Sequence, residues 1–389
     1  MLYFDHNATT PLAPEVAEAL SAGLREVYGN ASSTHAPGQR ARQQLEAARR
    51  TLARRLGAAP TEFVFTSGGT ESNNLAILGL VRNVPAARRH VVTTTIEHPS
   101  VFECCRQLER EGIASTYVPV DRQGVVDVDL IRRSLREETV LVSIMHANNE
   151  LGTIQQVEEI ADAVREHRKA GHFTFFHSDG VQAFGKMDAN VERLGIDLYS
   201  VSAHKISGPK GIGGLYVRRG TPLRSIQFGG RHERERRPGT ENVPAAMAFA
   251  RAAELRTIDT RELRDLFERE VLARVPSVEV NGSRESRLPN TSNLLFHGVT
   301  GEALVIALDM RGIAVSTGSA CSSGAVEPSH VLLAIGRSAQ DARSSVRFSF
   351  GRDNTTEDVH VLIESVVASV DKLRKAARTE HPVAASVMV

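Results

Sequence analysis

As far as about residue 255, short runs of β-branched and aromatic residues alternate with longer stretches of helical period, and this alternation restricts the fold more than any other feature. Glu62–Thr66 (EFVFT) predicts a strand, Ser67-Gly68-Gly69 a turn, and Thr70–Val81 a helix opened by its threonine. His90–Thr94, Ser115–Val120, Val140–Met145 and Phe173–His177 are strand-like in the same way, and helical patterns such as Val157–Ala170 lie between several of them. A chain of this kind is α/β, with a mostly parallel sheet covered by helices on both faces. Ligands of such sheets bind at the carboxyl ends of the strands.

Beyond residue 255 the pattern changes. A long helical stretch leads to Val278–Asn281 and Ser292–Phe296, then to a helix near Glu302–Arg311, the loop Ser316–Glu327, the strand Ser345–Phe350 and a closing helix over Thr356–Ala376. We read this as a smaller α+β domain of residues 1–12 and 257–389, beside a larger domain of residues 13–256. A length of 389 residues suits that division, because it exceeds what one small core serves. With a net charge of +1, and with the arginine runs near Arg49 and Arg234 set among glutamates, the chain gives no reason to expect a nucleic-acid or membrane partner. Three cysteines, two of them adjacent, make no disulfide framework, and the N-terminus lacks the pattern of a secretion signal. The expectation is a reduced, cytoplasmic protein.

Chemistry-bearing residues gather at the predicted strand ends: Ser67-Gly68-Gly69-Thr70, Glu97-His98, Asn148-Asn149-Glu150, His177-Ser178-Asp179 and Ser202-Ala203-His204-Lys205. Each is weak alone. Ser-Gly-Gly-Thr before a helix is as readily an N-cap turn as a phosphate cradle. Asp179 follows an apolar run, so its carboxylate needs either a structural arginine or a cationic ligand atom such as a protonated pyridine nitrogen. His177 and Asp179 share a strand face, but without a third ligand or a metal motif no metal site is expected. Neither the P-loop pattern nor GxGxxG is present; Tyr216 stands where the third glycine would be.

Seven stretches in order, TSGGTESNN, HANNELGTIQ, HSDGVQAFGK, SAHKISGPKGIGGLYVRR, GGRHERERRPGTEN, GSACSSGAVEPSHVL and SSVRFSFGR, resemble the cysteine desulfurases of the NifS/IscS type. Those are enzymes of the class V aminotransferase family, with the type I fold of pyridoxal-phosphate-dependent transferases. The resemblance implies a seven-stranded sheet and pyridoxal 5'-phosphate as cofactor. It also implies conversion of L-cysteine to L-alanine, with the sulfur passing to Cys321 as a persulfide and on to acceptor proteins such as an iron-sulfur scaffold.

By the same resemblance Lys205 carries the cofactor through its amine and then moves the proton of the substrate α-carbon, with Lys210 the rival lysine. Asp179 pairs with the ring nitrogen, Gln182 with the ring hydroxyl, and His98 stacks on the ring and takes part in proton transfer. Thr70, Ser202 and His204 hold the phosphate, joined by Thr240 from the second subunit of a homodimer, and Gly69 also binds the cofactor. Arg347 and Asn149 hold the substrate carboxylate; the alternative for Arg347 is an internal salt bridge. Cys321 sits among small residues, which suits a thiol that travels, whereas Cys104 and Cys105 fall in a helical pattern and read as core. The competing functions are another enzyme of this fold, such as a selenocysteine lyase or an aminotransferase, and a scaffold without catalysis.

Overall fold

A computed structural model describes residues 1–85, 89–256, 259–318 and 327–380. Cys321 lies outside them. The chain groups into two compact units, one of residues 7–149 and 153–256, the other of residues 1–6, 150–152 and 259–380.

The chain opens with a two-residue strand, β1 (Leu2–Tyr3), which belongs to the smaller unit. The larger unit carries β2 (Phe63–Thr66), β3 (His90–Thr94), β4 (Ala114–Val118), β5 (Thr139–Ser143), β6 (Phe175–Asp179), β7 (Leu198–Ser202) and β8 (Gly213–Val217). These form one seven-stranded sheet in the order β2-β8-β7-β6-β5-β3-β4. The pairs β3–β4, β3–β5, β5–β6 and β6–β7 are parallel, whereas β8 pairs antiparallel with both β2 and β7. Within this sheet β8 therefore runs against the other strands, and β2, β3, β5, β6 and β7 all end at the same edge.

Alternation along the strands explains why both faces are covered. Val91, Leu141 and Leu198 pack with the helices Gly69–Val81 and Pro99–Arg110 in one apolar cluster. Their neighbours Val92, Val142 and Tyr199 point the other way, into a cluster with the helices Ala36–Arg55, Val157–Lys169 and Val243–Glu254. A strand buried on both faces needs apolar residues in succession, which is what the sequence supplies. Cys104 and Cys105 are buried in the first cluster, and burial pushes the Cys104 thiol up to about 12.

In the smaller unit β9 (Val278–Val280), β10 (Thr291–Phe296) and β12 (Ser345–Ser349) make an antiparallel sheet in the order β12-β10-β9, and β1 pairs parallel with β11 (Ile313–Ala314). Phe267, Phe296, Phe348 and Phe350 fill its core with side chains of the helix Thr356–Glu380. Among the described residues no helix is long and apolar enough to cross a membrane.

Candidate active site

The helix after β2 begins one residue earlier than its threonine predicts. Gly68 occupies the N-cap position without a side-chain cap, and Thr70 lies exposed in the first turn. Backbone approaches closely here: a Cβ on Gly213 of β8 would stand 2.7 Å from the Gly68 Cα, so β8 has to carry glycine where it passes the turn. The first amides of this helix are left without intrahelical acceptors, as at every helix start.

Ser202 ends β7 beside this turn. A Cβ built on Gly68 would lie 3.9 Å from the Ser202 hydroxyl, and one on Gly69 would collide with Val181 Cγ2 at 2.7 Å. That hydroxyl is fully buried and has no hydrogen-bond partner. Buried hydroxyls are normally satisfied, so an orphan at a helix N-terminus, walled by glycine, fits an anion with several oxygen atoms.

Three residues past Ser202, Lys205 directs its amine to the backbone carbonyls of Asn7 and Ala8, at 2.5 and 2.7 Å. The Asn7 carbonyl also accepts from Gln182 Nε2 at 3.0 Å, so one oxygen atom brings Lys205 and Gln182 together. Gln182 Oε1 in turn accepts from Lys186 Nζ at 2.7 Å. The Asn7 side chain donates to the Asn149 carbonyl at 3.1 Å, which ties the loop after β5 to the same point. His204 stands half-buried with Nδ1 3.2 Å from Thr9 Oγ1. Burial, then the charges of Lys205, Lys210 and Lys186, push its imidazole down to about 4, so it is neutral near pH 7.

Asp179, the last residue of β6, is 6% exposed and its carboxylate meets no arginine among the described residues: Oδ1 accepts from the Val181 amide at 2.9 Å and Oδ2 from Asn73 Nδ2 at 2.7 Å. A buried carboxylate held only by neutral donors suits a cationic ligand atom. Behind it the Tyr199 ring crosses Gly180, where a Cβ would stand 1.9 Å from Tyr199 Cζ, and the Tyr199 hydroxyl meets His146 Nδ1 at 2.8 Å. His98 is exposed and caps the helix Pro99–Arg110, with Nδ1 accepting from the Ser100 amide. Its neighbour Glu97 is fully buried, bonded to Thr94 Oγ1 and the Met145 amide, and burial raises its carboxyl to about 8.

These contacts gather Gly69, Asp179, Gln182, Ser202 and Lys205, with His98 joined through Ser100 and Asn73. Thr240 is exposed, and no described contact joins it to the group. In the smaller unit, Arg347 of β12 is 3% exposed and donates from Nη2 to Asp5 Oδ1 at 2.6 Å. The internal salt bridge weighed from the sequence is thus present. Among the described residues no three His, Cys, Asp or Glu side chains are arranged to hold a metal ion. Sequence reasoning passed over Asn7, Asn73 and Ser100. The signal for Asn73 was a polar side chain two positions before the apolar run Leu75–Val81 of its helix.

Residues 2–362 match the family model described as Aminotransferase class-V. A curated relative, cysteine desulfurase IscS of Dictyoglomus turgidum, is 44% identical over 380 residues, covering 96% of this chain and 95% of its own. The chain belongs to the class V aminotransferase family, among its cysteine desulfurases of the NifS/IscS type. A solved NifS-like protein superposes with a TM-score of 0.88 at 36% identity, covering 95% of this chain and 99% of its own. Another, described as SspA in complex with cysteine, gives a TM-score of 0.81 at 35% identity over 90% of this chain and 99% of that one. Members of this family generally depend on pyridoxal phosphate. The Ser202 hydroxyl, the glycine-walled helix start, the buried Asp179 and the Lys205 amine fit that cofactor in charge and in donor type.

Proposed function

We propose that this enzyme binds pyridoxal 5'-phosphate on Lys205, converts L-cysteine to L-alanine and carries the sulfur away as a persulfide on Cys321. The observation that carries the reading is the meeting of Lys205 and Gln182 on the Asn7 carbonyl, on the strand edge where the buried Asp179 carboxylate ends β6. That SspA was solved with cysteine bound supports the substrate.

When bound, pyridoxal phosphate supplies an aldehyde for the substrate amine and a ring that draws electrons from the substrate α-carbon. Asp179 would hold a proton on the ring nitrogen, and Gln182 would orient the ring hydroxyl. Ser202, His204, Thr70 and the amides from Gly69 onward bind the phosphate, with Thr240 supplied by the second subunit of a homodimer. Lys205 would hold the cofactor and take the substrate α-proton on its amine, and His98 would cover the ring face. Arg347 and Asn149 hold the substrate carboxylate. The Cys321 thiolate then forms a bond to the substrate sulfur as the carbon–sulfur bond breaks; the electron pair stays on the β-carbon, which takes a proton, and return of the α-proton from Lys205 completes alanine. The persulfide passes to an acceptor protein such as an iron-sulfur scaffold, in the cytoplasm, where thiols stay reduced.

Purified protein tests this. Wild type binds the cofactor with a visible absorption band that Lys205→Ala loses, and Cys321→Ser keeps the band while sulfur release from L-cysteine stops. A Cys321→Ser enzyme turning over at the wild-type rate contradicts the persulfide step.

A further inference from the structure

Three hydrogen bonds connect the carboxylate at the end of β6 with the histidine after β3. Asn73 Nδ2 donates to Asp179 Oδ2 at 2.7 Å and to Ser100 Oγ at 2.8 Å, and Ser100 Oγ lies 2.8 Å from His98 Nδ1. The direction of every bond follows from the charge at one end. A carboxylate only accepts, so the amide must turn its nitrogen to Asp179, and both hydrogens of that nitrogen are then used. Ser100 Oγ accepts one of them, which leaves its own hydrogen for His98 Nδ1. The Ser100 backbone amide also donates to Nδ1, at 3.1 Å, so Nδ1 is an acceptor by two independent contacts.

We infer that Asn73 and Ser100 are positioning residues that link Asp179 to His98 and fix the neutral His98 ring with its proton on Nε2. Burial supports a purpose beyond packing. Asn73 is 1% exposed and its Oδ1 has no partner, a burden that leucine, found two residues on in the same helix, would not carry. Only the nitrogen half of the amide is engaged, and it is engaged on Asp179 and Ser100. The consequence is directional: any proton that His98 exchanges with a group over the cofactor passes through Nε2, and the imidazole plane is set by the same carboxylate that faces the ring nitrogen. This rests on the roles proposed above for His98 and Asp179.

Long-range proton–nitrogen spectra of ¹⁵N-labelled, cofactor-free protein at alkaline pH read the tautomer directly, with the His98 signals assigned by their loss in His98→Gln. Wild type is expected to show an unprotonated Nδ1 and a protonated Nε2. Ser100→Ala, left with the 3.1 Å backbone donor alone, and Asn73→Leu shift the ring toward a mixture of tautomers, whereas Ser100→Thr retains the wild-type pattern. In the loaded enzyme Ser100→Ala lowers kcat by about tenfold, the size of loss seen when a support behind a working residue is removed, and Ser100→Thr restores it. A proton on Nδ1 in wild type overturns the inference, and so do wild-type spectra in both Ser100→Ala and Asn73→Leu; if neither variant folds, the wild-type spectrum alone decides. Failure of the cofactor reading shows separately, as the absence of a visible band on adding pyridoxal phosphate, and leaves the tautomer measurement unchanged.

Discussion

Arg347 Nη2 donates to Asp5 Oδ1 across 2.6 Å, within the smaller unit and with the arginine almost wholly buried. The pair holds one corner of the guanidinium fork, so the arginine is presented in a fixed plane. Arg347→Lys keeps the charge and loses the plane. We expect kcat/KM for L-cysteine to fall on the order of tenfold to a hundredfold, mainly through KM, as when a charge-assisted bond is lost. Steady-state kinetics with an unchanged KM would refute the carboxylate role.

The orphan hydroxyl of Ser202 gives opposite signs with and without cofactor. Ser202→Ala removes a buried polar atom that has no partner, so the cofactor-free protein gains about 1 kcal/mol or stays level in urea unfolding. Affinity for pyridoxal phosphate, read by equilibrium titration, falls about tenfold with the loss of a bond to a charged group. A variant weakened in both measurements places the hydroxyl outside the phosphate site.

Thr240 is exposed in its own chain. If it serves the second subunit, mixing Lys205→Ala protein with Thr240→Ala protein and allowing subunits to exchange creates one site with both native residues. The mixed population, at equal amounts and after random exchange, then recovers about a quarter of wild-type capacity, because about half of the dimers are hybrids and only one site of each hybrid is whole. Activity no higher than that of the two separate variants assigns Thr240 to its own chain or to no site.

Opposed titrations shape stability against pH. Burial depresses His146 and His204 to about 4 and His177 to about 3, so between those values and 6.5 the unfolded chain binds protons that the native chain does not. Stability therefore falls as pH drops through that window. Burial raises Glu97 from 4.5 to about 8; its contribution is complete below about 4.5 and is lost as pH rises through about 8. Urea unfolding at a series of pH values is expected to decline from pH 6.5 to pH 8 in wild type and to flatten in Glu97→Gln. An equal slope in both would assign the decline to other groups.

The larger sheet was legible because burial on both faces demands apolar residues in succession, such as Val140–Val142, which short-range pattern reveals. The common strand edge followed from the fold class, and with it the gathering of Asp179, Gln182, Ser202 and Lys205. The reversal of β8 had no local signal, since direction is set by pairing with β2 and β7. Nor could sequence place the Asn7 carbonyl between Lys205 and Gln182, or Asp5 against Arg347; these partners are separated by 175 to 342 positions, and only the folded chain supplies their spacing. Asn73 carried a local hint, a polar side chain beside an apolar helical run, but its two partners come from other elements.

Mass spectrometry of Cys321 after exposure of the loaded enzyme to L-cysteine, with alanine measured in the same sample, tests the central claim most directly. The account predicts one sulfur atom added to Cys321 for each alanine formed in the first turnover, and neither product in Lys205→Ala. Alanine formed with an unmodified Cys321, or sulfur added without alanine, would contradict it.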